Sequence, residues 1–87
     1  MIEELGKSGI KILLYLYEEG ASSITRTLRG ANIGHTTLYS ALIVLKEFKL
    51  ITEERQGWTR ILRLTPLGMK IAKKLSEADD ILSNRDE

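Results

Sequence analysis

The sequence predicts a mainly α domain carrying one small β-hairpin: three helices, two strands and a last helix. Three observations carry that expectation. Apolar residues recur at helical spacing up to Phe48 and again after Pro66, the pattern turns extended between Leu50 and Leu64, and residues that start or stop elements sit at the changes. At 87 residues the chain has room for one modest core, so residues 1–87 are expected to form a single domain.

The first helix is expected over Ser8 to Glu19. Ile10, Leu13, Leu14 and Tyr17 share a face, and Gly20 stops the segment. Its other side is also apolar, through Ile12, Tyr15 and Leu16, which a face turned to water would not favour. That second face is assigned to a partner surface. Ile2 and Leu5 extend the stripe towards the N-terminus, with Gly6 and Gly9 weakening the connection. Ser22 and Ser23 can cap a second helix from Ile24 to Ala31, with Ile24 and Leu28 inward, and Asn32 tolerates the left-handed conformation that ends helices.

The third helix is expected from His35 to Phe48. Leu38, Ala41, Leu42, Leu45 and Phe48 lie on one face, while Thr36, Tyr39, Ser40, Ile43 and Glu47 lie on the other. One face packs and the other is presented. Thr37 is placed nearer the buried side. Leu50 to Glu54 and Thr59 to Leu64 read as strands joined by a short turn containing Gly57. Thr65 then caps a last helix whose first turn holds Pro66, where a missing N–H costs nothing. Leu67, Ile71, Leu75, Ala78 and Leu82 make a narrow stripe with coiled-coil-like spacing, which calls for a partner helix. The polar tail from Asn84 to Glu87 is expected to fray.

Composition narrows the function. There is no cysteine and His35 is the single histidine, so neither a transition-metal site nor a catalytic dyad has its usual residues, and an enzyme is not expected. No cofactor is expected either. Apolar runs fall short of a membrane span and no signal region opens the chain, which gives a cytoplasmic expectation. Net charge is only +1, yet it is unevenly distributed. Residues 21–75 carry ten basic residues against three acids, whereas residues 76–87 carry one arginine against five acids. A basic middle of this kind suits phosphate binding, and the acidic end should point away from it.

The stretch from Ile24 to Leu64 resembles the winged helix-turn-helix regulators of the MarR, PadR and ArsR type, and the resemblance covers roughly residues 8–75. It rests on Thr37-Leu38-Tyr39-Ser40-Ala41-Leu42, on Leu45 and Leu50-Ile51, and on Leu62-Arg63-Leu64-Thr65-Pro66-Leu67-Gly68. The resemblance implies a DNA-binding core over residues 8–65, a C-terminal dimerisation helix over 66–83, and binding to double-stranded DNA as a homodimer on a palindromic site. Four positions depart from the pattern. Leu28 stands where an alanine is usual, Gly30 interrupts the second helix, Gly34 replaces a serine-like cap, and Ser40 replaces a basic residue.

On this reading the third helix enters the major groove with His35, Thr36, Tyr39, Ser40, Ile43 and Lys46, offering hydroxyls and an isoleucine in place of arginines. The hairpin forms a wing that sets Arg55, Gln56, Trp58 and Arg60 beside the backbone or minor groove. Dimer contacts are expected from Ile12, Tyr15, Leu16, Leu67, Ile71, Leu75, Ala78 and Leu82. The rival expectation is a winged-helix protein-interaction module without sequence-specific DNA binding, since fold alone does not set function. No small-molecule effector site is legible.

Overall fold

Helix α1 (Gly6–Glu19) forms the centre of the molecule. In the computed structural model, which describes residues 2–84, it packs against α2 (Ile24–Ala31), α3 (His35–Glu47), α4 (Pro66–Asn84) and the strand β3 (Thr59–Leu64). This central position explains why α1 is apolar on both sides. Ile12, Leu13 and Leu16 are fully buried together with Leu38, Leu42, Leu45 and Leu62. Each such side chain contributes roughly 1.5–3 kcal/mol by leaving water, so this cluster dominates the stability of the domain.

Four helices and an antiparallel hairpin match the predicted class, with small shifts at the boundaries. Helix α1 begins at Gly6 instead of Ser8, after a 3-10 turn over Ile2–Glu4, and Leu5 just before it is buried in the core, as its place in the stripe predicts. Helix α2 begins where its cap predicted: Ser23 Oγ accepts from Arg26 N–H at 3.1 Å. It ends at Asn32, which is left-handed at φ 55°, and Ile33 N–H reaches back to Leu28 carbonyl at 3.1 Å. Helix α3 stops at Glu47, leaving Phe48 half-buried as its C-cap.

One strand was not legible. Ser22–Ser23 form β1, which pairs antiparallel with β3, Ser22 opposite Leu62 and Ser23 opposite Ile61. With β2 (Ile51–Gln56) the sheet has the order β1-β3-β2. Two residues with no apolar alternation carry no strand signal of their own. Between β2 and β3 the turn is two residues long, Gly57-Trp58, with Gly57 at φ 62° and Gln56 paired with Thr59. A positive φ at the first turn position alone is the II′ pattern, whose twist suits a tight hairpin.

The seam between α3 and α4 is tighter than patterning indicates. Lys49 takes a left-handed conformation at φ 59°, and Leu50 N–H returns to Leu45 carbonyl at 2.9 Å, closing α3 with a Schellman turn. Thr65 then does three things. Its N–H donates to Leu50 carbonyl at 3.0 Å, its hydroxyl donates to Lys49 carbonyl at 2.7 Å, and the same oxygen accepts from Gly68 N–H at 2.9 Å, capping α4. Gly68 is buried here because a Cβ would stand 1.9 Å from Leu50 carbonyl oxygen. At Gly30, which is exposed, a Cβ would also find no room, standing 1.9 Å from Cε1 of the Tyr15 ring. The glycine that interrupts α2 is thus a seat for the Tyr15 ring of α1.

The molecule measures 47 × 24 × 22 Å, and α4 runs past the body, with every residue from Glu77 to Asn84 exposed. Asn84 is helical. The rest of the tail expected to fray, residues 85–87, lies outside the described residues. Gly68→Ala should destabilise the fold by about 1–3 kcal/mol, read as a lower denaturant midpoint, because backbone is the obstacle. An unchanged midpoint would mean that α4 can shift freely at its start.

Candidate nucleic-acid interface

The outward side of α3 is set by the burial of the other side. With Leu38, Ala41, Leu42 and Leu45 in the core, helical geometry turns Thr36, Ser40, Ile43 and Glu47 directly away from the body. All four are exposed, Ile43 at 60%. His35 and Tyr39 flank this stripe towards the hairpin, with Tyr39 39% exposed. Thr37 is exposed as well, contrary to the expectation of a buried-side position. The start of α3 has no side-chain cap, since Gly34 occupies that position.

The hairpin is held to α3 by a charged cluster that patterning did not reveal. Its centre is Glu53 on β2, whose side chain is 17% exposed. Glu53 Oε1 accepts from Lys46 Nζ at 2.7 Å and from Arg60 Nη2 at 2.9 Å, and Oε2 accepts from Arg60 Nε. Arg60 also donates through Nη1 to the Tyr39 hydroxyl at 3.2 Å and lies over that ring, 5.3 Å from its centroid. One carboxylate therefore connects α3, β2 and β3. The Arg60 guanidinium, and after it Lys46, hold the Glu53 carboxyl down to about 2 against partial desolvation.

This arrangement revises the expectation for two basic residues. Lys46 and Arg60 lie where α3 meets the hairpin, and both are paired with Glu53. Strand alternation contained the signal. Leu62 faces the core, so Arg60 two residues earlier shares its face, and Ile51 likewise places Glu53 inward. Arg55 lies opposite Arg60 across the strands, is exposed, and has no ion-pair partner among the described residues. On the outer face Arg63 pairs with Glu54 at 2.6 Å, both about half exposed. Gln56 and Trp58 are exposed at the hairpin tip.

The residues assigned to a partner surface divide into two groups. Ile12 and Leu16 lie wholly within the chain's own core, and Tyr15 is packed on Gly30, so that part of the assignment is corrected. Periodicity shows that a face is apolar without showing which element covers it. On α4, Ile71 and Leu75 are half-buried against the core, whereas Leu67, Ala78 and Leu82 are exposed. Met69 and Ile81, which were not singled out, are exposed too. Among the described residues no three potential metal ligands converge, and no helix is long and apolar enough to cross a membrane.

Helix α2, a three-residue turn, α3 and the adjoining β2–β3 hairpin define a winged helix-turn-helix domain, with the architecture of the MarR-like winged-helix regulators. No established family profile matches the chain. It is 30% identical over 82 residues to an uncharacterised protein of Archaeoglobus fulgidus, a match covering 90% of this chain and 86% of that one, and it belongs to the same family as that protein.

Among solved structures, AF1382 from Archaeoglobus fulgidus is 26% identical with a TM-score of 0.81, covering 97% of this chain and 99% of the other. NadR, solved with 4-hydroxyphenylacetate, has a TM-score of 0.83 at 21% identity over 93% of this chain. Reduced AbfR, solved bound to DNA, has a TM-score of 0.72 at 27% identity over 83% of this chain. The chain spans 60% of the NadR chain and 55% of the AbfR chain.

The Glu53 cluster has a pH signature. A carboxyl held below its unfolded value stabilises the fold fully above about 4.5 and loses that contribution as pH falls towards 2. Glu53→Gln should therefore cost about 1 kcal/mol at neutral pH, a modest value suited to a solvent-accessible pair. The difference from the parent should vanish in urea titrations near pH 2; a gap independent of pH would refute the ionic role.

Proposed function

We propose that this chain is a DNA-binding transcription regulator that acts as a homodimer on double-stranded DNA, not an enzyme. The observation that carries the reading is the unobstructed outward stripe of α3, Thr36, Ser40 and Ile43 with His35 and Tyr39 at its edge, beside a hairpin anchored to the same helix. A helix presented in this way fits the major groove, where hydroxyls can bond base edges and an isoleucine can meet thymine methyls. AbfR, a structural neighbour, was solved bound to DNA, which supports the same use of the fold here.

Within this reading the basic residues have different tasks. Lys46 and Arg60 hold the hairpin through Glu53, and Arg55, exposed and without an ion-pair partner among the described residues, serves as a phosphate contact. Gln56 and Trp58 extend the contact at the tip. Replacing Arg55 with alanine should weaken binding to all duplexes and reduce the slope of log affinity against log salt by about one. Replacing Ser40 with alanine should instead change which sequences are selected from a random duplex pool. An Arg55→Ala variant with the parent's salt slope would contradict the phosphate role.

The homodimer rests on α4. Leu67, Ala78 and Leu82 continue the edge of the half-buried Ile71 and Leu75, and Ile81 adds to the exposed apolar surface. A two-fold pairing through this helix would present two copies of α3, as a palindromic site requires. Sedimentation should give a dimer at micromolar concentration for the parent and a monomer for an Ala78→Glu, Leu82→Glu double variant. A parent that sediments as a monomer would contradict this assembly.

One observation favours the alternative of a protein-interaction module: Glu53 neutralises two of the cations at this surface, and Glu47 adds an exposed acid to the outward stripe. Salt dependence separates the readings, because only DNA binding releases counterions in proportion to phosphates neutralised.

A further inference from the structure

The tip of the hairpin is built differently from a phosphate clamp. Its four residues, Gln56, Gly57, Trp58 and Thr59, are all uncharged. The nearest cations are Arg55 and Arg60, one step back on each strand, and Arg60 is bound to Glu53. At the outermost position stands Trp58, the chain's single tryptophan, with its whole side chain exposed. An indole has no charge to pair with a phosphate and only one N–H to offer it, and it gains more from leaving water against sugars or bases. Nothing lies within 4 Å of the position a Gly57 Cβ would take, so the turn backbone beside the ring is also open to close approach. Behind the tip the hairpin is stiff: six residue pairs join β2 to β3, and the Glu53 cluster fixes their base to α3.

We infer that Trp58 is an apolar wedge that enters the minor groove beside the site occupied by α3, inserts at a base step and bends the duplex. The inference rests on the DNA-binding reading and adds a mode of contact to it. The minor groove of B-form DNA is only about 6 Å wide, so an indole pushed in by a rigid hairpin has to open the groove or part the bases. Apolar side chains that do so kink the helix by roughly 20–90°. The step they choose is the one that unstacks most easily, which makes flexible pyrimidine–purine steps the preferred targets. Sequence preference would then arise at the wing through deformability, at positions where no hydrogen bond reads a base.

The single tryptophan lets the full-length protein report on this directly. Duplexes carrying end dyes would be titrated with the parent and with Trp58→Ala, following anisotropy for binding, energy transfer for bending and, for the parent, tryptophan emission. The expected result is quenched emission shielded from acrylamide, a bend of at least about 20° with the parent, and little bend with Trp58→Ala. Affinity of the variant should fall on the order of ten-fold, the loss of one stacked aromatic. Equal bending by both proteins, or Trp58 emission still open to acrylamide in the bound state, would overturn the wedge while leaving DNA binding intact. No anisotropy change with the parent at low salt would overturn the DNA-binding reading and the wedge together.

Discussion

The presentation of α3 against the hairpin depends on a junction of a few residues around Leu50. Here the Schellman turn at Lys49 ends α3, β2 begins, Thr65 closes β3 onto the Lys49 and Leu50 carbonyls, and Gly68 lets α4 lie directly on the Leu50 backbone. Four elements are thereby positioned by four hydrogen bonds and one missing side chain. The close-packed core supplies most of the stability, and the backbone junction adds directional hydrogen bonds that help to set the angle between α3 and the hairpin.

Charge is used sparingly on that surface. Glu53 takes up the cations of Lys46 and Arg60, and the resulting cluster orients the hairpin in place of adding to its positive potential. The exposed contribution comes from Arg55, hydroxyls, Ile43 and Trp58. Binding by such a surface would depend less on counterion release and more on shape and apolar fit than binding by an arginine-lined one. The near-neutral net charge of the chain is consistent with this division, since the acidic residues of α4 lie on the segment that extends past the body.

Much of this was legible in the sequence because local chemistry decides it. Ser23, Asn32, Gly57 and Thr65-Pro66 mark boundaries through capping, left-handed backbone and fixed φ, and the structure places each at the boundary it marks. The outward stripe of α3 followed from periodicity alone. Other features depend on what meets what in three dimensions. Ile12 and Leu16 have the periodicity of an interface and the burial of a core, because α1 is surrounded by its own chain. Glu53 looked like one charge among several until strand alternation put it on the same face as Arg60. Gly30 looked like an interruption of its helix and Gly68 like one residue of a motif, and at each a Cβ would stand 1.9 Å from a neighbouring element.

In the proposed function, α3 and the hairpin together form one DNA-binding surface. Amide chemical-shift changes measured while a short duplex is titrated into the nitrogen-15-labelled protein test it most directly. The largest changes should fall on Thr36, Tyr39, Ser40, Ile43 and residues 55–59, with α1 and the end of α4 unaffected. Changes concentrated on α4, or none on α3 at saturating DNA, would contradict it.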